Sequence, residues 1–177
     1  MNIGIIGLPQ TGKKTLFMGG EFGQWWEWDH DQALQWRLLE YAPHRGLQRF
    51  VKDLNQVYLS EPALYELDFD PAGFEWIDFR DTNSNVVSFI RRGKSPDQTL
   101  VFVFNFTPVP RLDYRIGAPG PGFYRELINS DAACYGGSNL GLDGGVSADS
   151  RPWHGQPYSL NLQLPPLGMF ILKSTEL

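Results

Sequence analysis

Between Glu21 and Asp31 the chain reads EFGQWWEWDHD, so that Trp25, Trp26 and Trp28 are interleaved with Glu21, Asp29, His30 and Asp31. Aromatic faces in a polar setting suit flat apolar ligand surfaces, sugar rings among them. Residues 21–45 carry no clean hydrophobic period, which marks a functional or docking loop rather than a core element. Packing of the same rings within the loop is the competing reading. His30 between Asp29 and Asp31 raises the question of a metal. Adjacent residues seldom aim at one ion, and His44 and His154 are distant in sequence, so no metal and no cofactor are expected. Ser138 lacks a G-x-S-x-G setting and a nearby histidine, so it is not read as a nucleophile.

A second chemical signal opens the chain. MNIGIIGLPQTGK reads as a short strand (Ile3–Ile6) running into a phosphate-binding loop, with Gly7, Gly12 and Lys13 as the candidate nucleotide-binding residues. Such loops place Ser or Thr after the lysine to hold magnesium, whereas here that residue is Lys14. The helix that should follow meets Gly19-Gly20 within two turns, and no N-K-x-D base-reading motif is present. Residues 1–13 resemble the start of an Obg-like P-loop GTPase/ATPase. A working nucleotide site is not expected, because the metal ligand and the surrounding βαβ scaffold are missing.

The elements that must position these groups fall into two regimes. Leu47, Phe50, Val51, Leu54, Val57 and Tyr58 recur at i, i+3, i+4 and i+7, which predicts a helix over 46–59, ended by Pro62. Lys14–Met18 is a short strand candidate. After Tyr65 the period becomes two, with strands expected over 74–79, 86–91, 99–106, 122–128, 158–164 and 167–172. Tyr158, Leu160, Leu162 and Leu164 alternate with polar residues, which fits one wet face; Leu100–Phe104 is apolar on both faces and should be central. Trp76, Phe102 and Phe104 are expected in the sandwich core. Pro/Gly punctuation between the runs favours an antiparallel sandwich or barrel.

Composition bounds the class. The 177 residues are 42% hydrophobic and 20% charged, and six are tryptophan. This is a globular composition, long enough for one good-sized domain. The net charge of −5 argues against nucleic acid and anionic membrane as partners. Cys134 is the only cysteine, which fits a reducing compartment. Neither a signal peptide nor a run of about 20 apolar residues is seen.

A resemblance covers the rest of the chain. The segments FMGGEFGQ (17–24), EWDHD (27–31), LQW (34–36), HRGLQR (44–49), KDLN (52–55) and ELDFDPAGFEW (66–76) carry it. NFTPVPR (105–111), NSD (129–131), YGGS (135–138), YSL (158–160) and LPPL (164–167) continue it. In this order they resemble the C-terminal portion of bacterial 1,4-α-glucan branching enzymes, of the α-amylase superfamily (glycoside hydrolase family 13). Trp26 stands where the family usually has a polar or charged residue, and Asp29 where Asn is common.

The resemblance implies a mainly β fold: a C-terminal antiparallel β-sandwich of the α-amylase all-β type, preceded by the last strand and helix of a (β/α)₈ barrel. It divides the chain into a foreign-looking opening (1–13), a barrel remnant (14–65) and an all-β domain (66–177). It implies a cytoplasmic enzyme of glycogen synthesis that moves α-1,4-glucan chains to α-1,6 positions by a retaining mechanism. The family's catalytic carboxylates lie on earlier barrel strands, so no catalytic residue is assigned and the chain should be inactive alone. Glu21, Trp25, Trp26, Trp28, Asp29, His30 and Asp31 would sit on the barrel rim as α-glucan contacts. A non-catalytic glucan-binding or interaction module is the alternative. The apolar helix stripe through Leu47, Phe50 and Leu54 would lose its barrel partners, and self-association through it is expected.

Overall fold

A computed structural model describes residues 14–175. The proposed phosphate loop, with Gly7, Gly12 and Lys13, lies outside the described residues. The described chain opens with irregular structure and short 3₁₀ turns. One helix follows, α1 (Ala42–Ser60), and then eight strands: β1 (Phe74–Asp81), β2 (Val86–Arg92), β3 (Thr99–Asn105), β4 (Arg111–Ala118), β5 (Phe123–Asn129), β6 (Gly145–Ser147), β7 (Tyr158–Leu164) and β8 (Met169–Ser174). Six strands form one sheet in the order β1-β2-β3-β8-β5-β6, and β4 pairs with β7 in a second. Every pairing is antiparallel. The fold is the expected mainly β one.

The larger sheet is buried on both faces. Alternation along β3 sends Val101 and Val103 to one side, where Ile77, Ile90, Phe170 and Leu172 meet Ile116, Leu160 and Leu162 of the smaller sheet. Leu100, Phe102 and Phe104 go to the other side, where they join Phe89, Ile128 and Ile171 against Leu47, Phe50 and Val51 of α1. All seven residues of β3 are buried, as a central strand requires.

Two expectations about the core are corrected by this second layer. The helix stripe is not orphaned: Leu47, Phe50 and Val51 are buried in the sheet's outer layer, and Leu54, Val57 and Tyr58 pack against it. Phe102 and Phe104 are buried beneath the helix rather than inside the sandwich, and Trp76 is 40% exposed.

Elements also differ at their edges. The helix begins at Ala42, four residues before the expected start, with Pro43 in its first turn, where its missing N–H costs nothing. Strands β4 and β6 were not anticipated. β4 follows the turn signals of Pro108 and Pro110, and a register shift between Arg111 and Tyr114 breaks its period. β6 has only three residues.

The expected strand over Lys14–Met18 is absent, and no strand is found over 14–41, the part of the expected barrel remnant that precedes the helix. The chain there is irregular and then turns at 18–19 into a 3₁₀ turn, Gly20–Phe22. A strand needs a neighbour for its N–H and C=O groups, and none pairs with this segment among the described residues. Gly19 and Gly23 lie in the left-handed region, at φ 81° and 69°, and fold the segment back on itself.

Candidate functional site

The segment 14–41 is held against the domain at a few points. Lys14 stands where a phosphate loop would have its Ser or Thr. Its ammonium instead bonds the Leu64 carbonyl at 2.5 Å and pairs with Asp68. Burial lowers the Lys14 pKa, and the Asp68 hydrogen bond opposes that shift. The same Asp68 oxygen accepts from Arg91 Nη2 at 2.8 Å, and both partners of that pair are buried. Phe22 is fully buried, and its carbonyl is 2.7 Å from the Nδ1 of His44 on α1.

Between these anchors the tryptophan loop is clasped by two glutamines. The Gln24 Oε1 accepts from the backbone N–H of Gln35 at 3.0 Å, while its Nε2 donates to the Trp26 carbonyl at 3.0 Å. Reciprocally, the Gln35 Oε1 accepts the backbone N–H groups of Trp25 at 3.1 Å and Trp26 at 3.3 Å. The clasp fixes the backbone and leaves the indoles outside. Trp25 stacks on Tyr41 with centroids 6.5 Å apart and 25° between planes, and meets His44 edge-on. The Arg37 guanidinium lies 5.8 Å from the Trp26 ring centre. Trp28 meets Phe17 at 5.7 Å in an edge contact. Trp25 and Trp26 nonetheless remain about two-thirds exposed.

The acidic part of the loop is a turn of its own. Asp29 accepts the Asp31 N–H at 3.0 Å and the Gln32 side-chain amide at 2.7 Å. His30 reaches Asp31 at 3.4 Å and Asp29 at 3.8 Å. The ligand atoms of all three lie within 4.8 Å of one another, closer than their adjacency in sequence suggests. All three groups are well exposed, and Asp29 is already engaged in the turn.

The residues expected as contacts therefore share one segment, with Glu21 in the 3₁₀ turn just before the clasp. Gln24 and Gln35, which position them, fall within the resemblance segments 17–24 and 34–36 but have no period that marks their role, and Tyr41 lies outside those segments. The face offers exposed rings and solvated carboxylates. That arrangement can bind a flat hydroxylated ligand by stacking and hydrogen bonding.

Residues 76–175 match the family model described as alpha amylase, C-terminal all-beta domain. The chain belongs to that family. It is 58% identical over 162 residues to a 1,4-alpha-glucan branching enzyme GlgB of Aquifex aeolicus, a match covering 92% of this chain and 26% of that protein. Against the branching enzymes of Synechococcus elongatus and Synechocystis sp. it is 57% and 53% identical, over 92% and 93% of this chain and 21% of each relative. The chain thus spans about a quarter of the length of the curated relatives it matches, and corresponds to their C-terminal portion. Among the described residues, no helix is long and apolar enough to cross a membrane.

Proposed function

We propose that this chain is the C-terminal part of a cytoplasmic 1,4-α-glucan branching enzyme, with residues 14–65 the remnant of its barrel and 66–177 its all-β domain. In this reading the chain handles α-glucan without cleaving it. The observation that carries the proposal is identity of 52–58% to branching enzymes over 162–165 residues. Trp25, Trp26 and Trp28 supply stacking faces for glucose rings, and Glu21, Asp29, His30 and Asp31 supply polar partners for hydroxyls. Binding at Gly7, Gly12 and Lys13 is not part of this reading.

Two measurements test it. The purified chain should leave the iodine absorbance of amylose unchanged, and a fall in absorbance would overturn the inactive-alone reading. Affinity electrophoresis in glycogen-containing gels should retard the chain, with Trp25→Ala and Trp26→Ala losing most of the retardation. Equal mobility with and without glycogen would remove the glucan-handling role.

A further inference from the structure

One surface turn beside β6 combines reactive neighbours with a strained backbone. Asp143-Gly144 is the sole Asp-Gly pair in the 177 residues, and no Asn-Gly pair occurs. It forms the centre of the turn 142–145, which the Gly145 N–H closes onto the Leu142 carbonyl at 3.1 Å. Both central residues have positive φ, 50° at Asp143 and 99° at Gly144. Glycine takes that conformation freely, whereas a residue with a Cβ is strained in it. Both residues are exposed, and a Cβ on Gly144 would meet nothing within 4 Å. Among the described residues the Gly144 N–H has no acceptor, and the Asp143 carboxylate enters no hydrogen bond or ion pair. Two other aspartates that precede small residues are restrained. Asp131 accepts from Ser138 and Leu140, and Asp149 is held by Arg115 at 2.5 Å.

We propose that Asp143-Gly144 is a modification site at which the main chain isomerises to isoaspartate, with water the sole co-reactant. The Gly144 amide nitrogen gives up its proton and attacks Cγ of the protonated Asp143 carboxyl, and one carboxyl oxygen leaves as water. The product is a five-membered succinimide made of Cα, Cβ, Cγ and the main-chain carbonyl carbon of Asp143 with the nitrogen of Gly144. Water then cleaves one of the two ring C–N bonds. Cleavage at Cγ restores aspartate. Cleavage at the main-chain carbonyl routes the chain through Cβ and Cγ and leaves a free α-carboxylate. Atoms balance, and nothing is oxidised or reduced. Ring closure rotates the Asp143 backbone out of the turn, and the strain of its left-handed conformation favours that departure. Little resists it: one hydrogen bond closes the turn, and the adjoining β6 is a three-residue strand at the sheet edge. Isoaspartate adds a methylene to the main chain between residues 143 and 144. The Gly144 carbonyl then leaves the Glu126 N–H, from which it accepts at 2.9 Å, and Gly145 loses its register with Arg125. Conversion therefore frees β6 from β5.

Peptide mapping of the purified chain, held for about four weeks at pH 7.4 and 37 °C, tests the site. Electron-transfer fragmentation separates isoaspartate from aspartate, and methylation of the new α-carboxylate by a protein isoaspartate methyltransferase counts it. The free peptide 139–149 gives the rate without the fold. Isoaspartate at Asp143 should exceed that at Asp131 or Asp149 at least ten-fold, and should form in the folded chain at no less than one-tenth of the peptide's rate. A peptide short of one water should precede it. Asp143→Glu should abolish the methylation signal, because its ring would have six members, and its urea midpoint establishes that the fold is kept. In converted molecules the Glu126 amide should exchange hydrogen at least ten-fold faster. An intact Asp143 in the folded chain while the free peptide converts overturns the proposal, as does conversion no greater than at Asp131 and Asp149. A methylation signal that survives Asp143→Glu places the modification elsewhere and overturns it too. Unchanged Glu126 exchange in the converted protein refutes the release of β6.

Discussion

Replacing Gly46 by alanine should destabilise the protein, although alanine favours a helix by roughly 1 kcal/mol over glycine. Gly46 lies inside α1 where the helix backbone passes the 3₁₀ turn Ala133–Tyr135. A methyl group built there would sit 2.7 Å from the Tyr135 carbonyl carbon and nearer still to its oxygen, whereas ordinary contact starts near 3.4 Å. Helix and turn would have to separate by something like an ångström. That strains the 2.8 Å Tyr135–Asp53 hydrogen bond and the Phe50–Tyr135 ring contact, and loosens the layer holding Phe102 and Phe104. Overpacking of this kind costs about 1–3 kcal/mol, and the upper end applies because the obstacle is backbone. Setting the helix gain against it leaves a net loss of roughly 2 kcal/mol. Urea unfolding followed by tryptophan fluorescence measures this directly. Gln56→Ala, on the exposed side of α1, serves as the control and should move stability by about 0.5 kcal/mol or less. A Gly46→Ala protein as stable as the parent would refute the close seating of the helix against the Ala133–Tyr135 turn.

Three further outcomes are expected. Arg91→Ala leaves buried Asp68 paired with Lys14 alone and removes one charged hydrogen bond, so it should cost about 1.5–3 kcal/mol in urea unfolding; a loss under 1 kcal/mol would mean that water reaches the pair. Gln35→Ala removes the acceptor for Trp25 and Trp26, and those two amides should exchange hydrogen about ten-fold faster, the equivalent of one ordinary hydrogen bond; unchanged exchange would show that the clasp is not holding the loop. Burial pushes the Glu126 carboxyl up, with the Leu142 N–H opposing. The folded state therefore favours the protonated form, and this contribution is full below about pH 4.5 and is lost as pH rises through the raised folded value. Glu126→Gln should flatten that decline and be the more stable protein at neutral pH, so an unaltered pH slope would count against it.

How much of this was legible in the chain depended on where the determining contact lay. The stripe from Leu47 to Tyr58 declared a helix, because periodicity is local. Its partner was invisible, since Phe89, Phe102 and Ile171 come from three strands far along the sequence. β3 announced itself by being apolar on both faces, whereas β4 did not, because Pro108, Pro110 and a bulge masked its alternation. The tryptophan loop stood out by composition alone. Its conformation rests on Gln24 and Gln35, eleven residues apart and unremarkable in type, whose pairing only the folded backbone reveals. The strand expected around residues 14–18 failed for a related reason, because local pattern cannot supply a neighbouring strand.

The strand order has a consequence for how the molecule comes into being. β8 lies between β3 and β5 and joins the β1-β2-β3 meander to the β5-β6 pair. Synthesis makes it after all seven other strands. Until Met169–Ser174 has left the ribosome, Leu100, Phe102 and Phe104 have no Ile171 beside them and Tyr124 has no closed sheet around it. Maturation therefore turns on one late event, and until then the nascent chain carries two open sheet edges that invite chaperones and strand-pairing errors. A stop codon a few residues before Met169 would remove the middle of the sheet and leave two halves with nothing between them.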